Sequence, residues 1–381
     1  MLRCSACKAL FNARTPRGKY DDSVKTSIVL SRYYLGLPGH RLERFQALAG
    51  VPLPDATQWD LIQRTFDDVF PVFQQLVYLA AQADVIHHDD TRGRILSLID
   101  ENKTLAKGAR YGIHSTGLVA VGEQTIILYF TGRAHAGENL DKLLDHRDDD
   151  RNDVIQMSDA LAANTCKRHP TVSCYCSAHA VRKFMDIAET FPEPCSRILA
   201  VLSEVFRFER QTKHLSPTER LAYHQAHSDP LLTDLKAWMA SLSPSVEPNS
   251  PLASTIQYMT KRWEGFTRFL QVEGAPIDNN IVERILKRLI FQRKNSFFYV
   301  NEYSAYVACV LTSIIMTAVT AGINVFEYFN TLQHHRHEVA RQPERWLPWN
   351  TPLNTTPDAN QPTAQPPPDC HSTEESVDLC A

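Results

Sequence analysis

The sequence lacks several features that would place it in a specialised class of protein. Its 381 residues contain no uninterrupted apolar run close to the ~18 residues that a membrane span needs. The start, Met1-Leu2-Arg3-Cys4, has no apolar signal-peptide segment. Nine cysteines, an odd number, are scattered along the chain, which favours a reducing compartment over a disulfide framework. These absences predict a cytoplasmic protein without a membrane partner.

The chain as a whole also lacks the positive excess that is usual in proteins that bind nucleic acid. Lys and Arg number 40 against 43 Asp and Glu, so the formal net charge is −3. That average hides a division, because residues 1–50 carry +6 and residues 281–300 carry +4, whereas residues 350–381 carry −5. The basic segments are therefore candidates for contact with DNA. Segment 336–381 is predicted to end in a disordered, acidic, Pro-rich tail.

Residues 1–19 contain a single C-x-x-C pair, Cys4 and Cys7. A structural zinc site needs four ligands, and no second pair lies nearby. The pair is interpreted either as the remnant of a zinc ribbon or as two ordinary surface cysteines.

Residues 20–82 have apolar residues at helical spacing and predict three helices. Asp22 and Asp55 are placed to cap the first and third helices, and Gly50 follows the second. Helix, Gly-containing turn and helix is the layout of a helix-turn-helix DNA reader. We predict a helical DNA-binding region here, with plain helical packing as the alternative.

Residues 83–184 change to short β-rich runs. A strand leads into His87-His88-Asp89-Asp90, and a hairpin follows over residues 117–121 and 125–130. Further strand-like runs then alternate with helices. Three consecutive strands followed by this alternation predict a mixed α/β sheet.

Residues 185–277 have a helical pattern, including the capping box Ser216-Pro217-Thr218-Glu219. A helix begins near Asp278, at the start of segment 278–335, and residues 303–333 are apolar and predicted to be helical. The sheet region is thus followed by a long helical stretch and then by a helix with polar residues at its start.

Three acidic residues stand out by their positions. Asp89 lies at the end of a predicted strand, Asp159 just past the end of a later one, and Glu283 one turn into the helix near Asp278. Such carboxylates can converge on two Mg²⁺ or Mn²⁺ ions, which prefer oxygen ligands and promote in-line phosphodiester displacement. Spacing alone leaves open that these are three solvated acids.

Cations follow one of these acids, Glu283, and also lie near a Cys/His pair. The helix of Glu283 is rich in basic residues, which favours a phosphate-backbone contact over a merely solvated face. Cys176 and His179 open a helix together with Arg182 and could bind zinc with Cys174, but contact with DNA or with an active-site carboxylate is the favoured interpretation. The run at His87 to Asp90 would also suit a small-molecule metallohydrolase.

Several of these motifs resemble the transposases of the IS sixty-six family of bacterial insertion sequences. Pro276-Ile277-Asp278-Asn279-Asn280-Ile281-Val282-Glu283-Arg284, followed by Arg293-Lys294-Asn295, is similar to the family's D-N-N-x-x-E-R…R-K-N signature. His87-His88-Asp89-Asp90-Thr91 resembles H-x-D-E-T, and Cys176-Ser177-Ala178-His179-Ala180-Val181-Arg182-Lys183-Phe184 resembles C-x-A-H-x-R-R-K-F. The resemblance extends from Cys4 to Pro348-Trp349-Asn350.

The resemblance implies an RNase H-like mixed-sheet catalytic core interrupted by an α-helical insertion, with a helical DNA-binding region before it. The implied enzyme is a DDE transposase that cuts DNA at insertion-sequence ends and transfers strands to a target. Asp89, Asp159 and Glu283 would be catalytic and hold two Mg²⁺ or Mn²⁺ ions. The residues expected to contact DNA or support the site are His179, Arg182, Arg284, Lys287, Arg288, Arg293, Lys294 and Asn295.

The resemblance also implies a homo-oligomer on DNA, helper proteins from the same element and a nucleoid-associated location. This sequence departs from the pattern at two places. Asp159 stands before Ala160-Leu161 where the family has Gly-Tyr, so Asp153 is kept as a substitute for Asp159. Only the family's second cysteine pair is present, which suggests a truncated or split copy. The alternative function is therefore a catalytically inactive relic that only binds DNA.

Overall fold

The structure is a computed structural model, and it describes residues 2–3, 10–11, 19–242 and 245–351. Cys4, Cys7 and the tail beyond residue 351 lie outside the described residues. Near the amino terminus, the short strands β1 (Leu2–Arg3) and β2 (Leu10–Phe11) pair antiparallel.

A five-stranded mixed sheet forms the centre of the fold. Its middle strand is β3 (Val85–Arg92), which pairs antiparallel with β4 (His114–Val121), and β4 pairs antiparallel with the edge strand β5 (Thr125–Gly132). On its other side β3 pairs parallel with β6 (Val154–Ser158), which pairs parallel with β7 (Thr171–Tyr175). The order β5-β4-β3-β6-β7 confirms the mixed α/β sheet expected from the sequence.

The edge strand β5 is covered by a helix instead of facing solvent. Helix α12 (Glu302–Thr320) lies along it, and the hydroxyl of Thr317 both accepts from the amide of Ile127 at 3.0 Å and donates to its carbonyl at 3.1 Å. The hydroxyl of Ser313 accepts from the amide of Tyr129 at 2.9 Å. These bonds satisfy backbone groups that an open edge would expose to other chains.

The predicted amino-terminal helices are present as α1 (Asp22–Val29), α2 (Gly39–Leu48) and α3 (Asp55–Ala81), with a π-helical turn at residues 30–34. The predicted caps are wrong. Asp21, not Asp22, caps α1 by accepting from the amide of Ser23 at 2.9 Å. Asp55 lies inside the first turn of α3, and its carboxylate accepts from Arg32 at 3.1 Å.

The capping box at Ser216 forms as predicted. The carboxylate of Glu219 accepts from the Ser216 amide at 2.9 Å, and the Glu219 amide donates to the Ser216 hydroxyl.

The remaining helices either support the sheet or lie in the long helical stretch. The helices are α4 (Leu96–Asn102), α5 (Ala136–Leu144), α6 (Ser177–Met185), α7 (Pro192–Gln211), α8 (Pro217–Leu242), α9 (Pro251–Thr260), α10 (Trp263–Phe266), α11 (Asn280–Ser296), α13 (Val325–His334) and α14 (Arg336–Arg341).

Two large hydrophobic cores flank the sheet. The larger one joins the amino-terminal helices α1 and α3 to α12, α13 and the strands β3 to β5. The other joins β6 and β7 to the helices α6 to α9. Helix α11 lies against β3 and β4 through a smaller apolar cluster of its own. The site described below lies where these three packing units meet.

Among the described residues, α12 is long and apolar enough to cross a membrane by length and composition. Small and hydroxylated residues interrupt its apolar run. In the structure, 67% of its most apolar window is buried, mainly against β5 and α3. A helix that is mostly buried in the core of a protein has this composition as well.

Candidate active site

Parallel strands bring Asp89 and Asp159 to the same end of the sheet. The register places His87 of β3 beside Met157 of β6, and each aspartate lies two residues further along its chain. Asp153 precedes β6 and is exposed at the opposite end of that strand. The strand geometry therefore places Asp159, and not Asp153, beside Asp89.

One amide group joins the two aspartates. Nδ2 of Asn164 donates to Oδ1 of Asp159 at 2.7 Å and reaches Oδ1 of Asp89 at 3.3 Å. Asn164 itself is buried, and its carbonyl accepts from the side chain of Gln156 at 2.7 Å. The sequence analysis missed Asn164, because an asparagine five residues after Asp159 has no distinguishing pattern. The side chain orients both carboxylates toward a common point.

Burial and nearby like charges raise the pKa of Asp89. Burial raises the pKa of its carboxyl to about 7, and the negative charges of Asp159 and Glu283 act in the same direction. Such a shift is the response of a carboxylate that is desolvated among other carboxylates. A bound cation would relieve this repulsion, so the site is poised for one.

Glu283 approaches the aspartates from the first turn of α11. Its Oε1 accepts from Nη2 of Arg182 at 2.5 Å, and Nε2 of His179 lies 3.8 Å from the same oxygen. Both partners belong to α6, which begins immediately after β7. Two residues that the sequence analysis assigned to DNA contact or site support therefore hold Glu283.

Asn279 fastens the start of α11 to the sheet. Its side-chain oxygen lies 3.1 Å from Nδ1 of His87, its Nδ2 donates to the carbonyl of His88 at 3.0 Å, and its amide donates to Sγ of Cys176 at 3.2 Å. Asn279 occupies the position before the first residue of α11, and its side chain binds the strand instead of the helix end. The carboxylate of Asp278 accepts from the Asn280 amide at 2.9 Å.

The long helical stretch leaves the sheet and returns to it at one place. The amide of Ser177, at the start of α6, donates to the carbonyl of Ile277 at 3.0 Å. Residues on either side of the 185–277 segment are thereby joined. This contact brings α6 and α11 together, with Arg182 and His179 on one and Glu283 on the other.

Close packing allows α11 to reach the sheet. Gly117 of β4 lies opposite Asp89 on β3. A Cβ atom at Gly117 would lie 2.9 Å from Cδ2 of Leu286 and 3.1 Å from Cδ1 of Ile285, both on α11. A larger residue would force the Leu286 and Ile285 side chains to shift, so Gly117 favours the close approach of the Glu283 helix.

The predicted DNA-contacting cations divide into two groups. Arg284, Lys287 and Lys294 are exposed on α11. Arg288 instead donates to the carbonyl of Tyr34 at 3.1 Å and lies over its ring, 4.3 Å from the centroid.

Arg293 is likewise engaged within the protein. It donates to Oγ1 of Thr91 at 3.3 Å and to the carbonyl of Arg92, at the end of β3. Asn295 is half-buried and faces Gly36, in the turn after the π-helical segment. Arg288, Arg293 and Asn295 thus join α11 to its neighbours.

The zinc alternative at Cys174, Cys176 and His179 finds no support in the geometry. Among the described residues these three do not form a cluster of ligand atoms. Burial raises the pKa of the Cys174 thiol to about 12 and that of Cys176 to about 11, which disfavours the thiolate that binds metal.

A different cluster lies beside the aspartates. Asp90, His114 and His135 each offer one ligand atom, and these atoms lie within 4.8 Å of one another. In the described part of the chain no other set of three acidic, His or Cys residues is so compact, so Asp89, Asp159 and Glu283 are more widely spaced. The sequence analysis noted Asp90 but not its histidine partners, which lie on β4 and just before α5.

Sequence comparisons find a family and relatives that this chain resembles. The sequence model of the family described as "Transposase IS66 family" matches residues 17–306. The uncharacterized proteins y4jD and y4hP of Sinorhizobium fredii are each 26% identical to this chain, over 367 and 345 residues. These alignments cover 91% and 82% of this chain, and 70% and 60% of the respective relatives.

Proposed function

The chain belongs to the IS66 family of transposases, and on that premise we propose that it is a metal-dependent DDE enzyme that cuts and joins DNA at insertion-sequence ends. Family membership supports a transposase role and a DNA partner. The observation that carries the finer proposal is the placement of Asp89, Asp159 and Glu283 around one end of the sheet. They come from two parallel strands and one helix that are far apart in the sequence.

The proposed core is RNase H-like. Three antiparallel strands followed by two parallel ones, with β3 in the middle, support this interpretation. The helices α7 to α10 form the proposed insertion, and the Ser177–Ile277 contact that closes it supports this role. Residues 20–82 remain a proposed DNA-binding region, and their packing on α12 and α13 links them to the core.

The donors around Asp89 suit a hard divalent cation. The side chains that would hold it are Asp89, Asp159 and Glu283, whose oxygens are the ligands that Mg²⁺ and Mn²⁺ prefer. The raised pKa of Asp89 supports the fit, because burial and the negative charges of Asp159 and Glu283 disfavour its ionised form, which a bound divalent cation would favour. When bound, two such ions supply activation of the attacking oxygen and stabilisation of the leaving oxygen.

The protein's own residues prepare the site. Asn164 orients the two aspartates, and Arg182 holds Glu283 through an ion pair that DNA phosphate would compete for. A phosphate bound to Arg182 would free the glutamate for the cation. The exposed cations Arg284, Lys287 and Lys294 extend this positive surface along α11 and would neutralise the DNA backbone.

The test is Mg²⁺-dependent nicking of a duplex that carries the element's ends. We expect the protein to cut this duplex, and Asp89→Asn or Glu283→Gln to reduce cutting by at least about a thousandfold, while Asp84→Asn, an exposed residue just before β3, has no effect. Salt-sensitive binding that remains in the variants would show that they are folded.

Binding of the ends without cutting by the unaltered protein would favour the relic that only binds DNA. Hydrolysis of small molecules without DNA would favour the metallohydrolase. Assembly as a homo-oligomer on DNA, dependence on helper proteins and association with the nucleoid are further parts of the proposal, which sedimentation of the DNA complex and co-purification would test.

A further inference from the structure

The cluster of Asp90, His114 and His135 differs chemically from the three carboxylates beside it. We propose that it is a separate site for one zinc-like divalent ion, which joins the end of β3, the start of β4 and the amino-terminal end of α5 next to Asp89. The three residues come from three different elements, so an ion bound there would act as a cross-link. The proposal does not depend on DNA cleavage.

The distances suit a small tetrahedral ion. Nδ1 of His135 lies 3.1 Å from Oδ2 of Asp90, and all three ligand atoms lie within 4.8 Å of one another. Ligand atoms of a tetrahedral zinc ion lie about 3.3–3.5 Å apart, as follows from bonds of about 2.0–2.2 Å. Nδ1 of His135 and Oδ2 of Asp90 already have nearly this spacing. The ligand atom of His114 lies within 4.8 Å of the other two, and a bound ion would draw it closer.

The carboxylate of Asp90 is oriented before any ion binds. Its Oδ1 accepts from the hydroxyl of Thr116 at 2.6 Å, and its Oδ2 accepts from the amide of Ala136 at 2.8 Å. Thr116 is itself fixed by a bond from Nδ2 of Asn139 at 2.8 Å. Hydrogen bonds of this kind, one step away from the ion, are a regular feature of metal sites and raise their affinity.

The two histidine side chains lie in contact beside Asp90. Their ring centroids are 3.7 Å apart and their planes are tilted by 37°. A metal ion bound between the rings would take one nitrogen from each histidine, and imidazole binds metal in its neutral form.

The ligand set predicts which ion binds. Two imidazoles and one carboxylate suit Zn²⁺, Co²⁺ or Ni²⁺, whereas Mg²⁺ prefers oxygen ligands alone. The partly exposed positions of all three side chains leave room for water as the fourth ligand. The Asp90 cluster and the neighbouring carboxylates around Asp89 would therefore select different metals.

Metal titration of the full chain tests the proposal. A Cys4→Ser/Cys7→Ser background removes the other candidate zinc ligands, and ZnCl₂ is titrated by calorimetry. We expect one Zn²⁺ per chain, at least about tenfold weaker binding in His114→Ala and in His135→Asn, and no change in His169→Ala, whose histidine pairs with the separate carboxylate of Asp145. Circular dichroism compares the folds of the variants.

Cobalt supplies a readout that is independent of affinity. Co²⁺ at the proposed site should give visible d–d bands without a thiolate charge-transfer band, and the bands should disappear in His114→Ala and persist in His169→Ala. The proposal is wrong if Zn²⁺ binds equally to all variants, if the bands survive loss of His114, or if no Zn²⁺ binds to the folded background protein.

Discussion

Nη2 of Arg182 lies 2.5 Å from Oε1 of Glu283, so a carboxylate proposed to bind metal is held by a cation of the same protein. The ion pair links α6 to α11 across the site. One carboxylate oxygen cannot bind a guanidinium and a divalent cation equally well. Arg182 and a metal ion would therefore compete for Glu283. Binding of DNA phosphate to Arg182 would tip that competition toward the metal.

Removal of the Arg182 guanidinium should strengthen metal binding in the absence of DNA. We expect Arg182→Gln to bind Mn²⁺ on the order of tenfold more tightly, since the local positive charge is lost. Electron paramagnetic resonance of free Mn²⁺ measures this affinity. Lys183→Gln is the control, because Lys183 lies over the ring of Tyr258 at 4.6 Å and not on Glu283. Equal affinities in both variants would contradict the competition.

The acidity of Asp89 makes stability depend on pH. Its pKa is about 7 in the folded protein and about 3.8 when unfolded, so the folded state holds the proton more tightly. The wild type therefore loses stability as pH rises from about 4 to 7, whereas Asp89→Asn does not carry this loss.

We expect Asp89→Asn to be more stable than the metal-free wild type at pH 8, by on the order of 2 to 4 kcal/mol, with a smaller difference at pH 5. Urea unfolding with a chelator present measures both values. Addition of Mg²⁺ should reduce the difference in unfolding free energy between Asp89→Asn and the wild type at pH 8. A gap that is constant between pH 5 and 8 would refute the assigned environment of Asp89.

His88 is a buried histidine without a partner. Both of its ring nitrogens lack hydrogen bonds among the described residues, and burial lowers its pKa to about 3. Because the unfolded chain takes up a proton near pH 6.5, this residue destabilises the protein as pH falls from about 6.5 toward 3.

His88→Leu should therefore stabilise the protein by about 1–3 kcal/mol at pH 7, and by more at pH 5. The substitution keeps the backbone carbonyl that accepts from Asn279. Thermal unfolding at the two pH values measures the difference. A less stable variant at pH 5 would show that the histidine has a partner that the structure does not place there.

Gly117 sets the approach of α11 to the sheet. Gly117→Val should move the helix away from Asp89, lower stability by about 1–3 kcal/mol and reduce Mg²⁺-dependent nicking at least tenfold. Gly132→Ala is the control, since a Cβ there meets no atom within 4 Å. Leu286→Ala combined with Gly117→Val should restore part of the activity, and unchanged nicking in Gly117→Val alone would contradict the packing argument.

Local patterns predicted much of the fold. The hairpin was visible because β-rich runs flank Gly122-Glu123, and the capping box at Ser216 because its four residues are adjacent. The π-helical turn was not visible, since no short-range pattern distinguishes it from α-helix. The cap of α1 was misplaced by one residue, because Asp21 and Asp22 are both good capping residues.

The candidate site depends on contacts between distant residues. Asn279 joins His87 and His88 across about 190 positions, and nothing near either residue indicates that pairing. Asn164 and His135 were missed for the same reason. The resemblance to transposases singled out Asp89 and Glu283 by motif, whereas Asp159 has an altered context, and its place beside Asp89 follows from the strand register.

The most direct test of the account compares two aspartates at opposite ends of β6. In Mg²⁺-dependent nicking of the duplex with element ends, Asp159→Asn should lose at least about a thousandfold in rate, as expected for a lost ligand of a catalytic metal, while Asp153→Asn retains full activity. Both proteins should bind the duplex with equal affinity. Nicking that survives Asp159→Asn and is lost in Asp153→Asn would contradict the proposed site.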